Sequence, residues 1–424
     1  MLNSNAPFSK PLKVLHTSDW HLGRRLYGHT RYEEFSAFLA WLLESIDREN
    51  IDVLIVAGDI FDTMTPSNQA QTLYFEFLGK VSKTCCQHVV IVAGNHDSPS
   101  FLDAPKQVLK FLDVHVVGTA CEDVRDEVIT LWANDGAPQA IIAAVPYLRD
   151  RDVRQNRAAQ SFDEKDANVV AGICKHYELV AAEAKRQQSK LKHDFSVHIP
   201  IIATGHLFAA GGSTTEDDGV RNLYVGNLGK ISADMFDDCF DYVALGHLHV
   251  PQRVGGRDHI RYSGSPIAMG FGEARQQKQL ILINFSQDGL TITPIFVPCF
   301  QKLAQISGDL PQIADQIAQL SAQNDPVWLE VIYSGAELVS DLREQVALMT
   351  QNTLCEVLKI RNPKSYHQVL KQGYEFENLQ DLDDSEVFER CLEAHQITGD
   401  QRVKLRGAYD DIIKAMTEQD RFAD

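Results

Sequence analysis

The chain contains five apolar runs that each end at a polar side chain able to bind metal. With the residues that follow them, the runs read KVLHTSDWH, DVLIVAGDIFD, HVVIVAGNHD, PIIATGH and DYVALGHLH. Runs of valine, isoleucine, leucine and alanine without polar alternation are typical of strands that are buried on both faces. Intervening stretches such as RYEEFSAFLAWLLESIDREN and SNQAQTLYFEFLGKVSK have apolar residues at helical spacing. The pattern therefore predicts an α/β fold in which strands and helices alternate.

The polar residues at the ends of these runs are candidates for one shared site. In such folds ligands gather beyond the carboxyl ends of the strands, so side chains distant in sequence meet there. A glycine directly precedes four of the candidates, at Gly58, Gly94, Gly205 and Gly246. A residue without a Cβ permits a sharp turn and a close approach of the backbone. The predicted ligands, with His96 beside them, are Asp19, His21, Asp59, Asn95, His206, His247 and His249.

This set of side chains indicates a pair of divalent ions. Carboxylate, amide oxygen and imidazole together suit manganese, iron or zinc, and no thiolate is among them. Seven ligands are too many for one tetrahedral zinc. They would suit two ions about 3.5–4 Å apart that share one carboxylate, which is the arrangement that stabilises the attacking and leaving oxygens of a phosphoryl displacement.

The motifs D-x-H, GD-x-x-D, GNHD, GH and GHLH, in this order, resemble those of the calcineurin-like metallophosphoesterases. The segments LHTSDWHLG, AGDIFD, AGNHDS and ALGHLH are more closely similar to the nuclease subunits of bacterial complexes that process DNA ends with the help of an ATPase. The resemblance continues through YSGSP into PVWLEVIY and covers most of the chain. It implies a metallophosphoesterase β-sandwich flanked by helices, with a small α/β capping domain and a C-terminal helical pair.

The resemblance also implies a role for each ligand. Two groups of three residues would each hold one ion, and one carboxylate would bridge the ions: Asp19, His21 and His249; Asn95, His206 and His247; and Asp59 as the bridge. His96 would not bind metal but would stabilise or protonate the leaving oxygen of the scissile phosphate. The nucleophile would be a metal-bound hydroxide rather than a side chain.

For any one histidine or aspartate, a structural role is the alternative interpretation. His16, inside the run that precedes Asp19, is expected to be a structural histidine. Asp62 and Asp97 are candidates for residues that orient the histidine ligands. Relatives often carry histidine where this chain has Asp62, so the role of Asp62 stays open.

The formal net charge of −18 is the main argument against direct DNA binding, because duplex contact normally requires a basic surface. Bound divalent ions would add positive charge where a phosphate must sit. Arg24, Arg25 and Arg31 follow the first motif and are candidates for DNA contact, with a solvated surface as the alternative. We therefore expect weak affinity for DNA unless a partner helps.

Four segments are predicted along the chain. Residues 1–11 form a disordered lead, and residues 12–298 form the nuclease domain, which ends in a hairpin around Ser-Gln-Asp-Gly. Residues 299–370 alternate strands and helices and form the capping domain. Residues 371–424 carry two helical stripes, which need a docking surface because a helical pair has too little core to be stable alone. The stripes are Val387, Phe388, Cys391 and Leu392, and Tyr409, Ile412, Ile413 and Met416.

The resemblance implies that this tail binds the coiled-coil base of an SMC-like ABC-type ATPase and that the chain forms a homodimer. No Walker A motif occurs, so ATP would be bound by that partner. The expected cofactor is two Mn²⁺, with Mg²⁺, Fe²⁺ or Zn²⁺ as alternatives. Because neither a secretion signal nor a transmembrane run is visible, we expect no membrane contact and a cytoplasmic location.

The predicted function is that of a metal-dependent deoxyribonuclease in DNA repair, recombination and replication. It would act as an exonuclease on double strands and as an endonuclease on hairpins and single strands. One alternative is a phosphoesterase for nucleotides or cyclic nucleotides, although a small substrate needs no additional domains. The other is a non-catalytic scaffold, which would predict damaged ligands, whereas all seven positions are intact.

Overall fold

The protein is described by a computed structural model over residues 11–153, 162–209, 231–335, 341–362 and 397–418, with 339, 385, 388–389 and 392–393. The predicted lead up to residue 10, most of the linker before the tail, and Val387 and Cys391 lie outside these residues. So do the side chains of Ile412, Ile413 and Met416. In the described parts, no helix combines the length and apolar character that a bilayer crossing requires.

The elements up to residue 296 are, in chain order, β1 (Leu12–Thr17), β2 (Arg25–Leu26), β3 (His29–Thr30), α1 (Tyr32–Glu49), β4 (Val53–Ala57), α2 (Asn68–Val81), β5 (His88–Val92), α3 (Pro99–Asp103), α4 (Lys106–Leu109), β6 (Val114–Val117), β7 (Val128–Trp132), β8 (Pro138–Ala143), α5 (Asp150–Val153), α6 (Phe162–Phe195), β9 (Ile201–His206), β10 (Tyr242–Gly246), β11 (Gln252–Val254), β12 (Arg257–Tyr262), β13 (Gln279–Ser286) and β14 (Gly289–Phe296). The later elements are β15 (Lys302–Gly308), α7 (Leu310–Ser321), β16 (Val327–Tyr333), α8 (Leu342–Thr350), β17 (Cys355–Arg361) and α9 (Gly399–Glu418).

Two six-stranded sheets form the centre of the first part. The order in one sheet is β14-β13-β1-β4-β5-β6, with β1, β4, β5 and β6 parallel and with β13 antiparallel to β1. The order in the other is β11-β12-β10-β9-β8-β7, with only the two edge strands antiparallel to their neighbours. The predicted hairpin is formed by β13 and β14, where Ser286 lies opposite Gly289.

The two sheets pack face to face, and helices cover their outer faces. Residues such as Val53 of β4 and Ile202 of β9 share the core between the sheets. Leu54, the next residue in β4, points to the opposite face and packs with Phe38 of α1, while Tyr177 of α6 belongs to the core on the other sheet. Burial on both faces explains why these strands lack polar alternation. The predicted β-sandwich flanked by helices is confirmed.

The accessory unit after residue 300 alternates strands and helices, as predicted. Its three strands are parallel in the order β15-β16-β17. Ile313 and Ile317 of α7 pack on this sheet in a separate apolar core. The Asp309 side chain caps α7 by accepting a hydrogen bond from the Gln312 N–H at 3.0 Å. A small cluster of Leu303, Leu26 and Phe271 joins this sheet to the first part.

The described residues of the tail pack as a pair of helical segments. The ring of Phe388 is stacked on that of Tyr409, with centroids 4.1 Å apart. Arg402 of α9 lies 2.7 Å from a carboxylate oxygen of Glu389. The predicted helical character of the tail is therefore present where the structure describes it.

Candidate metal centre

The predicted ligands lie at the carboxyl ends of neighbouring strands, where the two sheets meet. Asp19 and His21 follow β1, Asp59 follows β4, and Asn95 follows β5. From the second sheet come the last residue of β9 and two residues that follow β10. The seven side chains, all buried, are Asp19, His21, Asp59, Asn95, His206, His247 and His249.

The loops after β1 and β4 are joined by backbone hydrogen bonds. The Asp19 N–H donates to the Gly58 carbonyl at 2.9 Å, and the His21 N–H donates to the Asp59 carbonyl at 3.0 Å. Asp19, His21 and Asp59 have φ values of 55°, 48° and 52°, in the left-handed region that side chains other than glycine rarely adopt. Such conformations are held by surrounding structure and are concentrated at functional sites.

Two glycines make room for the histidines. Gly58 has a φ of 88°, and a Cβ on it would lie 2.3 Å from Nδ1 of His206. A Cβ on Gly246 would lie 1.9 Å from the Ala57 carbonyl oxygen. The expected close approach of backbone at these positions is therefore observed.

Two groups of donor atoms converge in this pocket. In the first, Asp19, His21 and His249 have ligand atoms within 4.8 Å of one another. The second, defined by the same spacing, contains Asp59, His206 and His247. Asn95 belongs with the second group, because its Oδ1 is 3.0 Å from both His206 Nε2 and His247 Nδ1.

Asp59 lies between the two groups. Its Oδ2 is 3.2 Å from His206 Nε2 and 3.6 Å from His21 Nε2, so one oxygen faces an imidazole of each group. Its Oδ1 accepts a hydrogen bond from the His96 N–H at 2.8 Å. The position is the one that a shared carboxylate between two ions requires.

The outer nitrogens of the histidines are held by acceptors, which turns the inner nitrogens toward the pocket. His206 Nδ1 donates to the Ala57 carbonyl at 2.9 Å, and His249 Nδ1 donates to Glu273 at 3.2 Å. Nε2 of His21 and Nε2 of His249 then face each other at 3.2 Å. Because two lone pairs at this distance repel, a cation between them would be stabilising. The donor set and these partners fit a pair of divalent ions.

The ionisation of the group follows from burial and mutual charge. Burial by itself would lower the pKa of His206, but the charge of Asp59 and the hydrogen bond to it raise that pKa to about 9. Burial opposes ionisation of Asp59, yet the surrounding imidazoles hold its pKa well below the usual value. Burial raises the pKa of Asp19. Without bound cations, negative charge in this pocket is thus balanced by protonated imidazole.

His96 is placed beside the first group. Its Nδ1 donates to the Asp62 carbonyl oxygen at 2.8 Å, and its ring meets that of His21 edge-on, with centroids 4.8 Å apart. The side chain is buried. Since Nδ1 is held in this way, Nε2 is the nitrogen left to act on a substrate.

The two aspartates predicted to orient histidines have different positions. Asp62 does lie beside a histidine, with Oδ1 3.4 Å from His21 Nδ1. Burial would raise the pKa of Asp62, but His21 and Arg24 hold it far below the usual value. Asp97 accepts three backbone N–H groups, from Gly94, Ile60 and Phe61. Burial raises the pKa of Asp97 to about 7, with the charge of Asp59 adding to the effect. Asp97 therefore fixes the loops and not a ring.

A buried carboxylate that sequence reasoning missed lies behind His249. Glu273 is wholly buried in a single 3-10 turn at Phe271–Glu273. Its Oε1 faces His249 Nδ1, and its Oε2 accepts from Lys278 and from the Met269 N–H at 3.0 Å. Burial would raise the pKa of Glu273, but Lys278 and His249 lower it to about 2. The segment FGEAR has no periodicity or glycine–ligand pattern that would have marked it.

The three arginines after the first motif are not equivalent. Arg24 is half-buried at the pocket, where Nη1 donates to Asp62 at 3.2 Å, and Arg25 is exposed. Arg31 corrects the prediction, because it is 2% exposed and is bonded to Glu34 and to the Ala268 carbonyl, each at 2.7 Å. A guanidinium enclosed in this way contributes to the fold and does not reach DNA.

His16 is buried between the sheets, as a structural histidine would be. Its Nδ1 lies 2.9 Å from the hydroxyl oxygen of Tyr242 in β10. Burial lowers the pKa of His16 to about 3, which keeps the ring neutral. The contact joins β1 to the second sheet just below the pocket.

Two protein families match the chain. The calcineurin-like phosphoesterase family matches residues 12–251, and the type 5 capsule protein repressor C-terminal domain matches residues 299–396. The first match contains all seven of the predicted ligands. The second covers the accessory unit and reaches into the tail.

Several individual proteins are similar over long stretches. The D subunit of the SbcCD nuclease of Escherichia coli K12 is 36% identical over 398 residues, which is 93% of this chain and 96% of that protein. The protein of the same name from Rhodobacter capsulatus is 34% identical over 326 residues, covering 74% of this chain and 77% of the relative. The one from Bacillus subtilis is 32% identical over 275 residues, covering 64% and 66%. The chain belongs to the calcineurin-like phosphoesterases and, within them, to the family of the D subunits of SbcCD nucleases.

Proposed function

We propose that this chain is the nuclease subunit of an SbcCD-type complex and that it cleaves DNA with two Mn²⁺ ions. The observation that carries the proposal is the position of Asp59, one oxygen of which faces His206 in one donor group and His21 in the other. A carboxylate shared between two sets of neutral ligands is the arrangement of a two-metal phosphodiesterase. Harder and softer divalent ions, including Mg²⁺, Fe²⁺ and Zn²⁺, are alternatives for the same ligands.

The chemistry requires positive charge at the phosphate, an activated water and a proton for the leaving oxygen. Two divalent ions in the pocket supply Lewis acidity and positive charge at the scissile phosphate. Asp19, His21 and His249 would hold one ion, and Asn95, His206 and His247 would hold the other. The backbone of the two tied loops fixes the distance between these groups, so little reorganisation is needed during the reaction.

His96 would act on the leaving oxygen. The Asp62 carbonyl fixes Nδ1, so the ring can present only Nε2 to the substrate. A protonated Nε2 at that position can donate its proton as the sugar oxygen leaves. The neighbouring Arg24 would add a positive charge at the same edge of the pocket while it stays paired with Asp62.

DNA as the substrate, and an SbcC-type ATPase as the partner, are supported by the names of the relatives. The net charge of −18 makes a partner that contributes DNA affinity necessary for tight binding. We assign residues 12–298 to the nuclease domain, 299–370 to a cap that shapes entry to the pocket, and 371–424 to the ATPase-binding tail. The activities would be exonucleolytic on duplex ends and endonucleolytic on hairpins, in the cytoplasm.

We also propose that the chain forms a homodimer. Apolar side chains are exposed on α2 and around α4, and Phe111 and Val108 are 89% and 68% exposed. Such exposure is typical of interaction surfaces. Light scattering should give the mass of a dimer for the wild type and of a monomer for Phe111→Glu. Phe296→Glu, at another exposed phenylalanine, should leave the mass unchanged, and a monomeric wild type would contradict the proposal.

The test of the nuclease function is digestion of end-labelled linear duplex and of a hairpin by the full chain, with and without the ATPase. Mn²⁺, Mg²⁺ and a chelator are compared. We expect cleavage with Mn²⁺, loss with the chelator, and a loss of at least about 100-fold in His96→Gln. Asp59→Asn should lose both cleavage and metal binding. Equal cleavage by wild type and His96→Gln, or cleavage in the chelator, would contradict the assignment.

A further inference from the structure

We propose that Glu273 is a positioning residue that strengthens one of the two metal positions through His249. His206 and His249, which belong to different donor groups, differ in what holds their outer nitrogens. His206 donates to the Ala57 carbonyl, which is neutral, whereas His249 donates to the carboxylate of Glu273. A carboxylate behind an imidazole raises its basicity and fixes its orientation, and so strengthens the bond from its other nitrogen to a metal. The inference rests on the proposed two-metal function.

The geometry assigns this role because Glu273 is itself rigidly held. It accepts from the Met269 N–H at 3.0 Å and from the Ser265 hydroxyl at 3.3 Å. Lys278 donates to the same carboxylate and, at 3.0 Å, to the Ser265 oxygen. Glu273 and Ser265 are completely buried, and Lys278 is 6% exposed. A carboxylate with this many fixed partners has one place for its remaining oxygen, which is at His249.

Lys278 is what makes the buried charge tolerable. A lone carboxylate in this interior would be protonated or would destabilise the fold, because removing a charge from water is costly. With the ammonium group beside it, the carboxylate keeps its charge next to the metal position. Lys278 also lies 3.3 Å from the carbonyl oxygen of His249, so both ends of the pair contact that residue. The Lys278–Glu273 pair thus fixes both the backbone and the ring of His249.

The consequence is that the two metal positions differ in affinity. The position formed by Asp19, His21 and His249 depends on Glu273, and the one formed by Asn95, His206 and His247 does not. Removing the charge at residue 273 should therefore weaken one ion and leave the other. Losses of about 10–100-fold in affinity are typical when such a partner of a ligand is changed.

The experiment is a titration of the metal-free full chain with Mn²⁺, followed by calorimetry and by electron paramagnetic resonance, which separates isolated from spin-coupled ions. The wild type should bind two ions and give a coupled signal. Glu273→Gln keeps an oxygen that can accept from His249 but loses the charge. We expect one of its two binding steps to weaken by about 10-fold or more, with an isolated-ion signal at one equivalent.

Glu127→Gln is the matched control, because Glu127 is also fully buried and contacts a histidine, His176, away from the pocket. It should bind both ions like the wild type. Lys278→Gln, a second variant, should weaken the same step as Glu273→Gln. Melting of each metal-free variant shows whether it folds. Two unchanged steps in folded Glu273→Gln would overturn the inference, and so would equal weakening of both steps. A wild type that binds fewer than two ions would overturn the proposed function instead.

Discussion

Single residues in this site are defined more by their partners than by their type. Asp59, Asp97 and Glu273 are all buried carboxylates, but one faces two groups of imidazoles, one accepts backbone N–H groups, and one is paired with lysine. The same kind of side chain therefore has three different environments and uses. Burial raises the pKa of Asp97 to about 7, whereas Lys278 and His249 hold that of Glu273 at about 2 against the effect of burial.

The buried Arg31 gives a prediction at this scale. Arg31→Ala leaves the Glu34 carboxylate buried without its partner, so we expect the free energy of unfolding to fall by about 3–5 kcal/mol. Arg25→Ala, at an exposed neighbour, should change it by less than about 0.5 kcal/mol. Urea denaturation measures both. A loss of DNA binding without a loss of stability in Arg31→Ala would restore the phosphate-contact interpretation.

The sequence marked the ligands because each stands at the end of an apolar run, which is a pattern of order along the chain. It did not mark Glu273, whose partners His249 and Lys278 come from different loops and meet only in the folded molecule. It also could not separate Arg24 from Arg31. Both follow the same motif, and only the packing of Ala268 and Glu34 around Arg31 removes it from solvent.

Elements that carry ligands are joined to one another at their starts as well as at their ends. Asp241, one residue before β10, accepts a hydrogen bond from the N–H of Ile201, the first residue of β9, at 2.9 Å. The Asp241 N–H in turn donates to the Ile201 carbonyl at 2.8 Å. These contacts fix the register of the two strands that end at His206 and at His247 and His249.

This junction predicts a dependence of stability on pH. Burial raises the pKa of Asp241 to about 6, above its unfolded value of about 4, so the folded chain binds more protons between these values. The contribution of Asp241 to stability is therefore present at pH 4 and is lost as the pH rises through 6. Asp241→Asn keeps the acceptor and removes the titration. Its stability relative to wild type should rise by about 1–2 kcal/mol from pH 4 to pH 7, after allowance for partial exposure.

Asp238→Asn, at a neighbouring exposed aspartate, is the control and should show no such difference. Urea denaturation at pH 4, 5.5 and 7 follows the effect. A constant difference between Asp241→Asn and wild type across this range would contradict the explanation.

The order of elements was predictable because strands buried on both faces and amphipathic helices have distinct patterns. The sheet order was not, since nothing local states that β1 pairs with β13 or that β9 lies beside β10. Those pairings depend on which apolar faces fit together. The accessory unit was recognised as alternating strands and helices, but its contact with Phe271 was invisible in the sequence.

In the whole molecule, the accessory sheet touches the turn that carries Glu273. Leu303 of β15 packs with Phe271 and Leu26, and Phe271 stacks on Tyr27, with centroids 5.7 Å apart. Lys359 of β17 donates to the Tyr27 hydroxyl at 2.7 Å. The accessory unit therefore supports the same short turn that holds His249.

This contact predicts that a change in the accessory sheet alters metal binding. Leu303→Ala should weaken the ion at Asp19, His21 and His249 by about 3–10-fold, because a looser Phe271 lets Glu273 move. Val346→Ala, in the separate core of the accessory unit, should destabilise that unit without this effect. Manganese titration measures both variants. Equal affinities in Leu303→Ala and wild type would show that the turn is rigid without the accessory sheet.

The pairing of β1 with β13 has a consequence for the birth of the protein. Leu12 lies opposite Phe285, so the first strand of the chain waits on the ribosome for a partner made about 270 residues later. Until then the loop that carries Asp19 and His21 has an open edge on one side. An interrupted translation product would bear most of the ligands without the sheet that aligns them, and we expect such fragments to be harmless to the nucleic acid around them.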